Sequence, residues 1–265
     1  MRVPRSRKEL RQQQILSALE ANPAMRVNQL AEELTVSTET IRRDLTELQQ
    51  IGRISRTYGG AVGTSNRFEP VLNERMALHI AERRAIAREA AAIYAQEDAL
   101  LLGGGATMLH FARALREVQH RLTVITPAYP IAVELAGNPL IDVMLLPGLL
   151  EPQEHIVYGS ETQRAVERYA VRTAIIGVSG INIEGFSEAL LGAGEVYGAI
   201  LRSAERVVVL VDHSKFGKRA LVLLSEWGPR VTVVTDSAPP EPLATVMARK
   251  GTSVVICSQS HMKPA

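Results

Sequence analysis

The stretch that decides the fold of the N-terminal part is VSTETIRRDLTEL, residues 36–48. Ile41, Leu45 and Leu48 recur at the i, i+4 and i+7 spacing of one helix face, which predicts an amphipathic helix with that face buried. Ser37 stands directly before the pattern, where its hydroxyl group would accept hydrogen bonds from the exposed amides of the first turn. The stretch therefore predicts a capped helix with an apolar side toward a small core and a polar side toward solvent.

The flanking sequence predicts two shorter helices before this one and a hairpin after it. An apolar stripe over residues 15–19 predicts the first helix, which ends before Pro23 because proline disfavours the α conformation in the residue that precedes it. A second helix is predicted over about residues 27–34. The alternating run RISRTYGG, residues 53–60, predicts a short basic hairpin. Three short helices and a basic hairpin are the parts of a winged helix-turn-helix.

The outward face of the predicted capped helix suits double-stranded operator DNA as a partner. Short hydroxyl side chains fit phosphate oxygens and base edges, and arginine fits phosphates or the O6 and N7 atoms of guanine. Residues 1–60 contain ten Lys or Arg against seven Asp or Glu, whereas the rest contains 20 against 21, so the basic excess lies in the first quarter. The predicted DNA contacts are Ser37, Thr38, Thr40, Arg42 and Arg43 on the helix, with Arg53, Arg56 and Tyr58 on the hairpin.

The remaining chain predicts an α/β unit. After a polar linker, a long helix is predicted over about residues 72–95. Apolar runs separated by helical stretches then predict a mostly parallel, Rossmann-like sheet covered on both faces. These runs are residues 99–102, 122–126, 141–146, 173–178, 206–211, 231–235 and 253–257. We predict a winged helix-turn-helix over residues 1–62, a linker over residues 63–73, and an effector-binding and oligomerisation domain over residues 74–265.

Composition excludes several other classes of protein. Hydrophobic residues make up 46% of the chain and charged residues 22%, which is typical of a globular protein with a packed core. The single cysteine, Cys257, forms no intramolecular disulfide and provides no thiolate zinc site, so we expect neither a metal nor a cofactor. No apolar run reaches membrane-spanning length, and no signal-peptide core follows the N-terminus, so we expect a cytoplasmic protein without a membrane partner.

Several motifs resemble the DeoR family of transcription regulators. They are VSTETIRRDL (residues 36–45), ISRTYGGA (54–61), Glu69-Pro70, Arg75, ERRAIA (82–87) and DHSKF (212–216), so the resemblance covers nearly the whole chain. It implies a winged helix-turn-helix, usually a repressor of genes for carbohydrate metabolism. It also implies a C-terminal domain similar to ribose-5-phosphate isomerase that binds a sugar phosphate or related small-molecule effector.

Ligand contacts are expected at the carboxyl ends of the predicted strands, where open α/β sheets bind their ligands. The run GGGAT, residues 103–107, joins a predicted strand to a predicted helix, and its amides suit an anion such as phosphate. Glycine there also serves tight turns for steric reasons alone. For Asp212, the competing interpretation is a turn cap. The predicted ligand contacts are Gly103, Gly104, Gly105, Thr107, Thr126, Gly180, Asp212 and Lys215.

The chain departs from the family pattern at several of these positions. GGGAT replaces a run of the type Asp-Ser-Gly-Thr-Thr, Pro127 replaces an asparagine, and Ser179 replaces an aspartate. Leu149 replaces the second glycine of a pair, and Arg83 replaces a lysine. Because several groups that would hold sugar hydroxyls are missing, we hypothesise that the effector is not a simple sugar phosphate or that the site is degenerate.

Two other functions remain open at this point. A sugar-phosphate isomerase with a DNA-binding appendage would need a general base, for which Asp212, Glu195 and Lys215 are candidates, but the acid missing at Gly103 argues against catalysis. An architectural DNA-binding protein would need no pocket-forming domain. We therefore predict a regulator that is not an enzyme and that forms a homo-oligomer, either a dimer or a tetramer.

Overall fold

The computed structural model describes residues 7–21, 27–50, 54–57, 60–63 and 70–257. The chain divides into two compact units, residues 1–68 and residues 69–265. The division falls inside the segment for which the sequence predicts a linker.

The N-terminal unit contains the three helices and the hairpin that the sequence predicts. Its elements are α1 (Arg7–Ala21), α2 (Val27–Glu33), α3 (Thr38–Gln50), β1 (Ile54–Thr57) and β2 (Gly60–Gly63). Ile41, Leu45 and Leu48 on α3 are buried and pack with Ile15 of α1 and Leu30 of α2. The turn between α2 and α3 is tight: Thr35 has a φ of +53°, and the amide of Val36 donates to the carbonyl of Ala31. β1 and β2 pair in antiparallel register, with Ile54 opposite Gly63.

The C-terminal unit is built on one parallel seven-stranded sheet, as the apolar runs predict. Its strands are β3 (Ala99–Leu102), β4 (Leu122–Thr126), β5 (Ile141–Leu145), β8 (Val171–Gly177), β11 (Ala204–Leu210), β13 (Val231–Thr235) and β14 (Ser253–Ile256). Their order across the sheet is β14-β13-β11-β8-β3-β4-β5. The buried side chains of the strands and of the surrounding helices form one continuous core.

Smaller elements complete this unit. The helices are α4 (Leu72–Arg75), α5 (Ile80–Tyr94), α6 (Ala106–Leu115), α7 (Tyr129–Leu135), α8 (Ser160–Val166), α9 (Leu191–Arg202) and α10 (Leu243–Arg249), with a 3-10 turn over His213–Lys215. β6 (Leu149–Glu151) and β7 (Ile156–Tyr158) form an antiparallel hairpin. β9 (Gly180–Asn182), β10 (Gly185–Glu188) and β12 (Val222–Ser225) form a separate antiparallel sheet. None of the helices among the described residues is both long enough and apolar enough to span a membrane.

The prediction of one helix over residues 72–95 is wrong. The chain forms the short helix α4, then a turn, then α5, because His79 adopts the left-handed conformation with a φ of +51°. No glycine or proline lies between Leu72 and Tyr94, so the sequence contains none of the usual signals for this break. The break separates two arginines, Arg75 and Arg83, that both reach the pocket described below.

The strand order positions a crevice at the centre of the sheet. From β3 the chain continues outward on one side through β4 and β5, and it then crosses to β8 on the other side of β3. The connections that leave β3 and β8 therefore diverge, and a crevice opens beyond the carboxyl ends of these two strands. Ligands of open α/β sheets bind at such switch points.

Candidate DNA interface and effector pocket

The first turn of α3 is capped by a hydroxyl group, as predicted. The amide of Thr40 donates to Ser37 Oγ at 3.1 Å, and the hydroxyl groups of these two residues lie 2.8 Å apart. This cap fixes the start of α3 and leaves Arg42 and Arg43, one turn further along, exposed to solvent.

Four predicted DNA contacts share one open groove of the N-terminal unit. Ser37, Thr40, Arg42 and Arg43 line it. Thr38 is the first residue of α3 and is half-buried. Arg56 lies in β1, whereas Arg53 and Tyr58 lie outside the described residues. DNA contact by each of these residues stays a prediction.

An ion pair that was not predicted from the sequence joins α1 to α3. Arg11 Nε donates to Asp44 Oδ2 at 2.5 Å, and Arg11 Nη2 donates to Asp44 Oδ1 at 3.2 Å. The Asp44 side chain is 2% exposed and that of Arg11 is 24% exposed. Beside this pair, Lys8 Nζ lies 2.6 Å from Glu47 Oε2. The buried carboxylate therefore connects the inner side of α3 to a cation on α1. Asp44 lies at i+3 from Ile41, and this spacing on the apolar face could have indicated its burial.

A pocket lies at the switch point of the C-terminal sheet and is partly open to solvent. Of the predicted ligand contacts, five line it: Gly104, Gly105, Thr107, Asp212 and Lys215. The pocket wall also contains five polar residues that were not predicted as ligand contacts, namely Arg75, Arg83, Glu154, Glu188 and Tyr197. Apolar contacts come from Ile156, Val178, Leu190 and Leu210, among others.

The three glycines after β3 have different physical roles. A Cβ atom on Gly103 would lie 3.0 Å from Ile176 Cγ2, and one on Gly104 would lie 2.7 Å from Ile156 Cγ2. Close packing therefore accounts for glycine at both positions. Gly105 has a φ of +103°, which side-chain-bearing residues rarely adopt, and it immediately precedes α6. The backbone amides of the first turn of α6 lack acceptors within the helix, as at any helix start, and therefore favour an anion.

Three predicted ligand contacts do not line the pocket. Gly103 is buried, and its amide donates to the carbonyl of Ile175. Thr126 is fully buried, and its hydroxyl accepts from the amide of Ala128 at 3.1 Å. Gly180 is buried in β9, where a Cβ would lie 2.6 Å from the carbonyl oxygen of Lys218. The packing thus gives each of these residues a structural role, and ligand contact by them stays a prediction.

Asp212 forms a buried ion pair and caps a turn at the same time. Arg83 Nε donates to Asp212 Oδ2 at 3.1 Å, and both side chains are at most 3% exposed. The amide and the hydroxyl group of Ser214 donate to Asp212 Oδ1. Burial by itself raises the pKa of Asp212, but the Ser214 hydrogen bond and the charges of Arg83 and Lys215 outweigh it and lower the pKa below its ordinary value. Asp212 therefore stays ionised and fixes Arg83 in the wall.

Arg75 forms a two-pronged ion pair with Glu154, which also lines the pocket. Nη1 lies 2.9 Å from Oε1 and Nη2 lies 2.5 Å from Oε2, a fork-to-fork geometry. Arg75 Nη1 also donates to the carbonyl of Pro70 at 2.7 Å. Both side chains are largely buried, at 7% and 14% exposure.

Glu188 and Tyr197 fix the backbone of the remaining wall. Glu188 Oε1 accepts hydrogen bonds from Ser179 Oγ at 3.1 Å, from the amide of Ala189 at 2.8 Å and from the amide of Leu190 at 3.2 Å. Tyr197 Oη accepts from the amide of Gly104 at 2.9 Å, so that amide is already paired. Burial raises the pKa of Tyr197 above its ordinary value, so its hydroxyl group stays protonated. Ser179, at the position of the family's aspartate, thus orients a glutamate.

Of the three candidate bases of an isomerase, Asp212 and Lys215 line the pocket and Glu195 does not. Glu195 is exposed on α9, where it accepts a hydrogen bond from Gln163 at 3.1 Å, and it does not line the pocket. Asp212 is engaged by Arg83 and Ser214.

A winged helix with an exposed basic helix, joined to a Rossmann-like unit with a polar pocket at its switch point, defines a transcription regulator with a sensor domain. Comparison with known proteins agrees. A DeoR-like helix-turn-helix domain matches residues 11–67, and a DeoR C terminal sensor domain matches residues 78–237. The chain belongs to the DeoR family of transcription regulators and is a DNA-binding protein rather than an enzyme.

The match to two named relatives extends over most of this chain and most of each relative. The chain is 30% identical to the HTH-type transcriptional repressor GlcR of Bacillus subtilis over 94% of this chain and 96% of that protein. It is 29% identical to the glycerol-3-phosphate regulon repressor of Escherichia coli over 86% of this chain and 91% of that protein. A ribose 5-phosphate isomerase A structure from Neisseria gonorrhoeae matches 52% of this chain and 53% of its own chain at 17% identity, with a TM-score of 0.36.

Proposed function

We propose that the protein is a cytoplasmic repressor of carbohydrate metabolism genes that binds operator DNA and releases it when a small metabolite occupies the switch-point pocket. The observation that carries the DNA part is the capped helix α3, whose inner face is buried while Arg42 and Arg43 are exposed beside Ser37 and Thr40. The repressor role is supported by the names of GlcR and of the glycerol-3-phosphate regulon repressor. In this proposal residues 1–62 bind DNA, residues 63–73 form the linker between the two domains, and residues 74–265 bind the effector.

The effector contacts that we propose are the polar groups that line the pocket. The start of α6 at Gly105 and Thr107 offers backbone amides, and Lys215 offers a buried cation. The class of effector is a sugar phosphate or a related metabolite.

The mechanism that we propose is differential binding in a homo-oligomer. Two helix-turn-helix units must contact half-sites about 34–36 Å apart, or a multiple of this distance, so a small change in their spacing lowers operator affinity. An effector that binds one arrangement of the sensor domains more tightly shifts the population toward it.

Fluorescence anisotropy with the DNA upstream of the protein's own gene tests the DNA part. Arg43→Ala is compared with Arg121→Ala, which removes an exposed arginine of the sensor unit. If Arg43 contacts a base, its loss costs about 1–3 kcal/mol of discrimination between the upstream sequence and a mutated operator. Arg121→Ala leaves both affinities unchanged. An unchanged preference in Arg43→Ala would contradict the proposed base contact, and no preference in the wild type would contradict operator binding.

A further inference from the structure

The wall of the pocket contains as many carboxylates as cations. The carboxylates are Glu154, Glu188 and Asp212, and the cations are Arg75, Arg83 and Lys215. Two of the three cations already form short ion pairs with these carboxylates, Arg75 with Glu154 and Arg83 with Asp212. A doubly charged phosphate group would therefore enter a wall with no surplus positive charge.

Glu154 is fixed in position before any ligand arrives. It lies in the turn of the β6–β7 hairpin, where its amide donates to Glu151 Oε2 at 2.5 Å. The next residue, His155, accepts from the amide of Tyr129 at 3.0 Å, which attaches the turn to the loop after β4. The Glu154 carboxylate is thus a built part of the wall rather than a flexible surface group.

Glu154 competes for the cation that an anion at the start of α6 would use. Arg75 Nη2 lies 3.9 Å from the position of a Cβ on Gly105, so the guanidinium group stands beside the residue that opens α6. Both nitrogen atoms of its fork are bound by the two oxygen atoms of Glu154. A phosphate seated at this helix start would have to share Arg75 with that carboxylate and would be repelled by its negative charge.

We propose that Glu154 is the specificity-determining residue of the pocket and that it makes the pocket select a neutral polyhydroxyl compound, a free sugar or a polyol, over a sugar phosphate. Each wall carboxylate already accepts from protein groups, but a carboxylate has about four lone-pair sites, so it can still accept from the hydroxyl groups of a neutral ligand that brings no further charge. This inference rests on the proposed function and narrows its class of effector.

Isothermal titration of the full-length protein with inorganic phosphate tests the inference. In Glu154→Gln the side chain keeps its shape but loses its charge, so Arg75 becomes available to phosphate, and we expect phosphate to bind at least tenfold more tightly than to the wild type. Glu154→Asp keeps the negative charge, and we expect it to exclude phosphate as the wild type does. Glu161→Gln removes the charge of an exposed glutamate outside the pocket and serves as the matched control.

Equal phosphate affinity in the wild type and Glu154→Gln would overturn the inference, and so would an equal gain in Glu154→Asp, since the effect would then arise from a disturbed hairpin rather than from charge. If Glu154→Gln does not fold, Glu154→Thr makes the same test. Anisotropy with the upstream DNA is measured on the same samples. Failure of the wild type to bind that DNA contradicts the proposed function, whereas intact DNA binding without a gain in phosphate affinity contradicts only the role of Glu154.

Discussion

The buried ion pair between Arg11 and Asp44 makes the N-terminal unit unequally sensitive to the loss of its two partners. Replacing Arg11 with Met leaves a carboxylate that is 2% exposed without the two hydrogen bonds that Arg11 donates. Breaking a buried pair in this way costs about 3–5 kcal/mol, and because Arg11 itself is partly exposed we expect the lower end, about 3 kcal/mol. Replacing Asp44 with Asn leaves an arginine that is 24% exposed and can turn to water, so we expect only about 1–2 kcal/mol.

Hydrogen exchange of the full-length protein, read by mass spectrometry over residues 27–50, measures the local opening free energy of α2 and α3. A unit of this size has little stability to spare, so Arg11→Met should bring those amides close to unprotected exchange while Asp44→Asn keeps clear protection. Exchange over α8 and α9 in the other unit is the internal control and should not change. Equal losses in the two variants, or a larger loss in Asp44→Asn, would refute the argument from unequal burial.

Three further predictions concern the sensor unit. Burial, assisted by the charges of Arg113, Arg84 and Arg83, lowers the pKa of His110 to about 4. The folded state therefore resists protonation, so the free energy of unfolding falls by roughly 3 kcal/mol as the pH drops from about 6.5 to about 4. His110→Gln should lack this loss. Urea unfolding of both proteins at pH 7 and pH 4.5 measures this, and identical pH dependence would contradict it. The Asp236 hydrogen bond raises the pKa of His213. The stabilisation by this hydrogen bond is therefore complete below the pKa of the unfolded state and is lost as the pH rises through the pKa of the folded state. The difference in stability between the wild type and His213→Gln should thus be larger at pH 6 than at pH 9, and an equal difference at both pH values would contradict the prediction. Tyr197→Phe leaves the buried amide of Gly104 without its acceptor and should cost about 1–3 kcal/mol in urea unfolding; a loss below about 0.5 kcal/mol would show that this hydrogen bond is replaced.

Periodicity predicted most of the fold because hydrophobic burial follows it closely. The apolar runs became all seven strands of the main sheet, and Ile41, Leu45 and Leu48 became the buried face of α3. The turn at His79 escaped prediction because its left-handed backbone is adopted by a residue type that gives no turn signal. The strands of the β6–β7 hairpin are only three residues long, too short for a periodic pattern.

From the sequence, only those wall residues of the pocket could be predicted that come shortly after the carboxyl end of a strand. Gly104, Gly105, Thr107, Asp212 and Lys215 follow β3 or β11, and the rule for open sheets placed them in the wall. Glu154 comes from the small hairpin, and Arg75 and Arg83 come from helices that precede the first strand of the sheet. Their convergence depends on tertiary packing over long sequence separations, which no local pattern contains.

Some of the polar groups that the family pattern predicts, and that this chain lacks, are replaced by other polar side chains. Ser179, in place of an aspartate, hydrogen-bonds Glu188, which places a carboxylate in the wall from a different strand. Arg83, in place of a lysine, pairs with Asp212. These replacements favour a pocket with altered specificity over a degenerate one.

Release of the upstream DNA by a small molecule shows whether the switch-point pocket controls DNA binding. The wild-type protein bound to that DNA is titrated with a panel of free sugars, polyols, sugar acids and sugar phosphates, and Lys215→Met, which changes a residue of the pocket wall, is titrated in parallel. We expect a free sugar or polyol to lower the DNA affinity of the wild type, and we expect Lys215→Met to need a higher concentration of the same compound. DNA binding that no compound alters, or release that is identical in Lys215→Met, would contradict a regulator controlled through this pocket.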